Sequence, residues 1–378
     1  MKVLFVFGTR PEAIKLCPLV RHLRSRPAEF EAKVCVTAQH RELLDQVLQA
    51  FEITPDHDLN RMIPGQTLFQ STSRILEGLE PVLAGEKPDM VLVQGDTTST
   101  FCGALAAFYL RIPVGHVEAG LRTWDIYEPF PEEMNRLLAG RIAAMHFAAT
   151  AWAARNLAAE GIPPDTVHVT GNTGIDAVLY VAGRLAEGSL RGGSWPELDP
   201  GRKLILVTAH RRESFGEGIA NLCRALARLA CRDDVQIFFP VHPNPNVREV
   251  VFGRLSGIPN IVLGEPLGYV PFVDLMRRAS ILLTDSGGVQ EEGPSLGKPV
   301  LVLRNKTERP EAVEAGTARL VGTDPERIAS ETVRLLDDES LRQEMSRVHN
   351  PYGDGRASIR IADLILSFKK KNSPKKTS

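Results

Sequence analysis

Long apolar runs are missing from this 378-residue sequence. No stretch approaches the ~20 residues of a membrane-spanning helix, and the apolar run at 3–7 is too short for the core of a secretory signal, with Arg10 standing where a cleavage site would have to lie. Cysteine is scarce and scattered. Cys17, Cys35, Cys102, Cys223 and Cys231 make an odd five, with no CxxC and no Cys/His ligand spacing, which excludes a disulfide scaffold and a zinc ribbon. An excess of charge of either sign is also absent. Lys and Arg number 45 against 46 Asp and Glu, so no global field draws the chain to nucleic acid or to an anionic membrane, and any anion site has to be built locally. These absences set the expectation of a cytoplasmic protein with neither nucleic acid nor membrane as partner. The basic run at the C-terminus, KKKNSPKKTS, is expected to be a solvated disordered tail over 370–378.

What remains is ordinary globular material, with 43% hydrophobic and 24% charged residues, long enough for two or three domains at about 150 residues each. Short apolar runs alternate with segments of helical period throughout, the pattern of parallel strands covered by helices on both faces. Strands are expected at 3–7, 33–37, 90–94, 114–118, 145–148 and 167–170, with helices near 11–26, 40–51, 66–85, 98–110, 132–143 and 151–160. Around 188–202, GSLRGGSWPELDPGR concentrates Gly, Pro and Ser and marks a linker. A second series then begins, with strands at 204–208, 235–241, 260–263, 281–284, 299–303 and 319–322. The expected fold is α/β, with two doubly wound Rossmann-like domains and a cleft between them. The expected divisions are 1–172, 173–355, a last helix at 356–369, and the tail.

In open α/β sheets ligands bind beyond the carboxyl ends of the strands, so the residues that follow each strand are the candidates. Gly8-Thr9-Arg10-Pro11-Glu12 follows the first strand, with Lys15 one turn into the helix. Gly8 permits a tight turn, Pro11 suits a helix start, and Arg10 and Lys15 place two cations there, which makes a diphosphate clamp. A surface Arg and Lys pairing with Glu12 or solvent reads equally well. Thr284-Asp285-Ser286-Gly287-Gly288 presents consecutive backbone amides at another helix start, suited to phosphate oxygens, and Glu292, about one turn inside, suits vicinal hydroxyls such as those of a ribose. Three further ends carry acids. Asp96 reads as either a helix cap or a catalytic group. Glu118 ends an apolar strand, so it either pairs with a cation such as Arg122 or serves in a site. Glu132 and Glu133, just after a proline at a helix start, are by themselves ordinary partners of the helix dipole. His210 and His242 end two strands of the second series, and histidine suits proton transfer or phosphate contact.

Taken in order from about residue 2 to about 366, FGTRPEAIK, TAQHRELLDQVL, QGDTTST, GHVEAGLRT, PEEMNR, TGNTGIDA, AHRRES, PVHPNPNVRE, DSGGVQEEGPSLGKPVLV, TERPEAVEAGT and NPYGDGRAS resemble the non-hydrolysing bacterial UDP-N-acetylglucosamine 2-epimerases. The resemblance implies a GT-B architecture and a homodimer in cell-surface polysaccharide biosynthesis. It also implies interconversion of UDP-GlcNAc and UDP-ManNAc with no metal, nicotinamide or other cofactor. By motif position it implies that Arg10 and Lys15 contact the nucleotide-sugar, that Ser286, Gly287 and Gly288 hold the diphosphate, and that Glu292 takes the ribose. Phe272 and Arg309 would line the UDP pocket, and Asp96, Glu118, Glu132 and His210 would carry catalysis.

The hydrogen on C2 is barely acidic, and the resemblance implies the way round this. The bond from C1 to the UDP oxygen breaks first or concurrently, giving 2-acetamidoglucal and UDP. UDP then returns while a proton reaches the opposite face of C2. Which of Asp96, Glu118 and Glu132 removes the proton stays open at this point; His210 is assigned to the leaving phosphate. Relatives are often activated by a second UDP-GlcNAc. Gln39, Gln66, Arg211 and His242 suit such a site, whereas Glu42 and Gly65 depart from the Gln and Arg that some relatives have there. Ala209 stands where some relatives have glycine. Three rivals use the same residues: a GT-B glycosyltransferase with a UDP-sugar donor, a hydrolysing epimerase that releases ManNAc, and a catalytically dead nucleotide-sugar sensor.

Overall fold

The structure, a computed structural model, describes residues 1–37, 41–60, 65–211, 215–307, 309–347 and 349–372. Two compact units share the chain: unit 1 is Met1–Ala177 with Gly353–Ser378, and unit 2 is Val178–Tyr352.

Unit 1 is built on seven strands, β1 Lys2–Phe7, β2 Glu31–Val36, β3 His57–Asp58, β4 Met90–Gln94, β5 Val114–Val117, β6 Met145–Ala148 and β7 Val167–Val169. They pair in parallel in the order β3-β2-β1-β4-β5-β6-β7. Helices α1 Arg10–Arg24, α2 Arg41–Ala50, α3 Leu68–Glu86, α4 Thr98–Tyr109, α5 Glu132–Ile142, α6 Ala151–Ala159 and α7 Thr173–Ala186 follow in turn. The central strands are apolar on both faces because both are covered: Val3, Leu4, Phe5, Val6 and Phe7 are fully buried. The strand order reverses between β1 and β4, and that switch point places the β1 and β4 ends side by side.

Unit 2 repeats the plan with β8 Lys203–Thr208, β9 Val235–Pro240, β10 Ile261–Gly264, β11 Ile281–Thr284, β12 Val300–Val302 and β13 Ala318–Leu320, ordered β10-β9-β8-β11-β12-β13 and again parallel. Its helices are α8 Glu217–Leu229, α9 Pro245–Leu255, α10 Tyr269–Arg278, α11 Gly287–Ser295, α12 Pro310–Glu314, α13 Pro325–Asp337 and α14 Glu339–Arg347. Here the switch point lies between β8 and β11, where Thr208 and Thr284 sit opposite each other and share a 2.6 Å hydroxyl–hydroxyl hydrogen bond.

Segment 188–202, expected to be a linker, lies inside unit 2. It is tied down there: the Trp195 indole Nε1 donates to Asp274 at 2.9 Å, and Asp199 N donates to Gln236 at 2.9 Å. The last helix, α15 Ala357–Asn372, belongs to unit 1 and packs on α1. Its first turn is capped from within unit 1 by Asp176, whose oxygens accept from Ala357 N at 3.2 Å and Ser358 N at 2.8 Å. The helix runs three residues past the expected end at 369, because the lysines there extend a helix C-terminus, where cations are favoured. The remainder of the expected tail, 373–378, lies outside the described residues.

Candidate active site

At the unit 1 switch point Gly8 follows β1, and a side chain there would force its neighbours to shift: a Cβ would stand 2.0 Å from Thr37 Oγ1 and 2.5 Å from Ser99 Oγ. Thr9 caps α1, and Glu12 completes the capping box, its Oε2 accepting from Gly8 N at 3.0 Å and Thr9 N at 2.7 Å. Glu12 is buried and turned inward, where Oε1 accepts from Thr97 and Thr100. Burial pushes its carboxyl above the usual range, against these hydrogen bonds. One partner that an ordinary surface reading offered to Arg10 and Lys15 is therefore committed to the α1 and α4 starts. Lys15 goes elsewhere: its Nζ reaches both oxygens of Glu118, at 2.5 and 2.6 Å.

Glu118 follows β5 in the left-handed region, at φ 61°. That conformation costs a non-glycine residue of order 1–2 kcal/mol and turns the carboxylate off the strand toward β4 and α1. Gln94, the last residue of β4, also donates to it. Arg122 does not serve this acid; its guanidinium forks onto Glu160. Asp96 is not the cap of α4. The α4 cap is Thr97, which accepts from Thr100 N at 3.1 Å, while the Asp96 carboxylate receives Arg136 of α5. Asn135 Nδ2 also donates to Asp96 O at 3.0 Å, so the start of α5, and with it Glu132, is docked on the Asp96 turn. Gly95 joins Asp96 to Glu118, its Cβ direction passing 3.9 Å from Glu118 Oε2. Asp96 and Glu118 thus stand at one switch point, and Glu132 begins the helix docked there, three carboxylates in all. Two are held by cations, and among the described residues no hydrogen bond or ion pair reaches the third, Glu132.

Several supporting residues were not singled out by the sequence. Glu133, read as an ordinary acid at a helix start, is buried; Oε1 accepts from Thr123 N and Trp124 N, and Oε2 from Arg136 at 3.0 Å. The i,i+3 spacing of Glu133 and Arg136 was the available signal. His116, two residues before Glu118, is buried with Nε2 against Gly95 O at 2.7 Å, and burial lowers its pKa to about 3, so it is a neutral imidazole propping the Gly95 turn.

In unit 2, Ser286 holds the N-cap position of α11, yet its hydroxyl makes no capping bond. The helix opens on Gly287 and Gly288, and the Arg309 guanidinium lies directly over Gly287, where a Cβ would come within 2.4 Å of Cζ. Arg309 is held in place by Glu291, its Nε donating to Oε1 at 2.6 Å, and by Thr307 Oγ1, which accepts from its backbone N at 3.1 Å. A helix N-terminus, the amides of two glycines and a guanidinium coincide there, which is an anion cradle in chemical terms. Glu292 is half-buried near the start of α10. The Tyr269 phenol is raised well above its ordinary range, chiefly by burial and further by the charge of Glu292. Phe272, half-buried, lies on the same helix. His210 follows β8 and leans on Asp285, and its ring stacks on His242 with centroids 5.7 Å apart.

Of the residues considered for a second nucleotide-sugar, Gln39 and the Glu42 side chain lie outside the described residues. Gly65 has φ 75°, Gln66 accepts from Arg74 at 3.1 Å, and His242 and Arg211 stand beside His210.

Acids at one switch point and an anion cradle with histidine at the other, on two doubly wound sheets, define a GT-B-like enzyme. A profile of the UDP-N-acetylglucosamine 2-epimerase family matches residues 21–366. The UDP-N-acetylglucosamine 2-epimerase of Salmonella typhimurium is 59% identical over 374 residues, covering 98% of this chain and 99% of the relative. A crystal structure of the Neisseria meningitidis UDP-GlcNAc 2-epimerase bound to UDP-GlcNAc superposes with a TM-score of 0.88 at 49% identity, covering 97% of this chain and 100% of that one. The Methanocaldococcus jannaschii enzyme in complex with UDP-GlcNAc and UDP gives 0.77 at 34% identity, with 97% of this chain and 100% of that one covered. The chain belongs to the UDP-N-acetylglucosamine 2-epimerase family.

Proposed function

We propose that this protein interconverts UDP-GlcNAc and UDP-ManNAc by elimination and re-addition of UDP, without hydrolysis and without a cofactor. The observation that carries the reading is the pair of carboxylates at the unit 1 switch point, each bound to a cation, with Glu132 on the helix docked there and bound to no cation among the described residues. In the forward direction the C1–O electrons leave with UDP and a carboxylate takes the proton from C2, so the glycal double bond forms between C1 and C2. In the return step the UDP oxygen adds to C1 and a carboxylic acid gives a proton to the other face of C2. Sugar, UDP and proton are all recovered, so the cycle is balanced.

Roles follow from the partners. Asp96 and Glu118, fixed by Arg136 and Lys15, supply negative potential to the cationic character that grows at C1. Glu132, at the start of α5 and without such a partner among the described residues, serves one face of C2 as base or acid. Asp96 or Glu118 serves the opposite face, so that the proton taken from one side is matched by one given from the other. Arg10 and the Ser286–Gly288 cradle with Arg309 bind the diphosphate, Glu292 the ribose and Phe272 the base. His210 meets the oxygen released from C1. The working assembly is a homodimer in the cytoplasm; the apolar end of α4, where Phe108 and Tyr109 are 59% and 68% exposed, supports a covered face in that region.

The test is incubation of the enzyme with UDP-GlcNAc in deuterated water, followed by NMR. The expected products are both epimers still attached to UDP and carrying deuterium at C2. Free sugar with accumulating UDP, an unlabelled C2, or no turnover until an acceptor is added would each defeat the proposal.

A further inference from the structure

Asp285 is an acid with no exposed surface, placed between the last residue of β11 and the cap of α11. A carboxylate in such a place has to be matched by donors. One of its oxygens is: Oδ2 accepts from two successive amides, His210 N and Arg211 N, both at 2.8 Å. The other oxygen, Oδ1, is buried and receives no hydrogen bond, although His210 Nδ1 stands 3.4 Å from it, within ion-pair reach but out of hydrogen-bond alignment. The same acid therefore fixes the backbone of His210 through one oxygen and faces its ring with the other. The second face of the ring is covered by His242, stacked at 20°. Asn244 N donates to His242 Nδ1 at 3.2 Å, which fixes the orientation of that second ring. Among the described residues, Asp285 and His242 both stand against the His210 ring, and the Arg211 backbone shares the same carboxylate.

We infer that Asp285 is a positioning residue for His210: it turns the ring so that Nδ1–H faces Oδ1, and it holds the imidazolium whose Nε2–H meets the phosphate oxygen released from C1. The identity of that anion rests on the function proposed above; the pairing itself does not. The chain order brings the ring beside the cradle. Asp285 immediately precedes Ser286 at the diphosphate cradle, and His210 follows β8, the direct neighbour of β11. Departure of UDP adds one negative charge at its terminal oxygen. A cation fixed beforehand against that oxygen stabilises the transition state, and the buried carboxylate keeps the imidazole protonated for the purpose. The proton stays on Nε2 throughout, so no further acid or base is needed.

The experiment is 15N NMR of histidine-labelled full-length enzyme saturated with UDP, the His210 signals being assigned by their loss in His210→Gln. The wild type is expected to show both His210 nitrogens protonated, with a strongly deshielded Nδ1 proton. Asp285→Asn keeps an oxygen for the two amides but removes the charge, so the imidazolium signature should disappear. In parallel kcat should fall on the order of 100-fold with KM little changed, the mark of an interaction made in the transition state. A wild-type His210 that is neutral with Nδ1 bare overturns the inference, even if Asp285→Asn fails to fold. An unchanged imidazolium in Asp285→Asn, with or without loss of kcat, overturns it as well and leaves Asp285 as a scaffold of the turn. Because the ring is read in the UDP complex, failure here is distinct from failure of the deuterium experiment, which concerns C2.

Discussion

Replacing Lys15 by Met tests the arrangement at the unit 1 switch point most directly, because it removes a charge while keeping most of the stem volume. Glu118 is only 5% exposed and Lys15 19%, so this pair is far from the solvent-screened surface kind. Removing one partner of a buried pair costs roughly 3–5 kcal/mol, since the other charge is left uncompensated. Gln94 remains to donate to Glu118 and the lysine end is partly wet, which places Lys15→Met at the low end, about 3 kcal/mol. For a body of this size each kcal/mol moves Tm by about 2–4 °C, so the drop should be about 6–12 °C. The sign of the remedy is the sharper point. Glu118→Gln added to Lys15→Met removes the stranded charge and should return more than half of the loss, giving a coupling of at least about 1.5 kcal/mol in a double-mutant cycle read by calorimetry. A Lys15→Met enzyme within about 1 kcal/mol of wild type, or a double variant no more stable than the single, would refute the reasoning that these two charges depend on each other.

Gly287→Ala should leave the fold intact but push the Arg309 guanidinium away, as the new Cβ would come within 2.4 Å of Cζ; a calorimetric titration with UDP should show affinity reduced tenfold or more, about 1.4 kcal/mol, and unchanged binding would remove Arg309 from the site. His116, with a folded pKa of about 3 against an unfolded ~6.5, binds no proton where the unfolded chain does, so stability falls as pH drops through that window. Its share is about 2 kcal/mol between pH 6.5 and 5, and urea melts of His116→Gln should be shallower in pH by that amount; an identical acid limb would mean the imidazole is hydrated. If the proposed homodimer is covered at the end of α4, Phe108→Glu with Tyr109→Lys should leave a monomer by light scattering while the isolated chain keeps its melting temperature, and a dimer that survives would place the covered face elsewhere.

Period and strand-end chemistry carried the sequence reading far, and for a physical reason: parallel strands buried on both faces must be written as apolar runs, and ligands gather where those runs end. All twelve expected strands are present within two residues at each end. β3 escaped because two residues, His57 and Asp58, leave no alternation to see, and α7 because Val178, Leu179, Tyr180 and Val181 form a run that reads as strand as readily as helix. Within the site, Asp96, Glu118 and Glu132 were legible as strand-end or helix-start acids, but their partners were not. Lys15 lies 103 residues from Glu118, and Arg136 lies 40 from Asp96. No local pattern encodes a pairing that the strand order alone brings about. Asp285 was hidden by its neighbours, since the glycines after it advertise the phosphate cradle while its own work is done on a turn 75 residues earlier.

The capping of α15 by Asp176 bears on how the polypeptide is made. The amides of Ala357 and Ser358 that satisfy this acid leave the ribosome only after the whole of unit 2, whereas the sheet they finish precedes it. Unit 1 thus waits, with a seam along α1 open, while the whole of the inserted unit 2 is synthesised. Nascent chains stalled before residue 357 should accordingly be protease-sensitive in their N-terminal half, and release of the closing helix is the event that seals it.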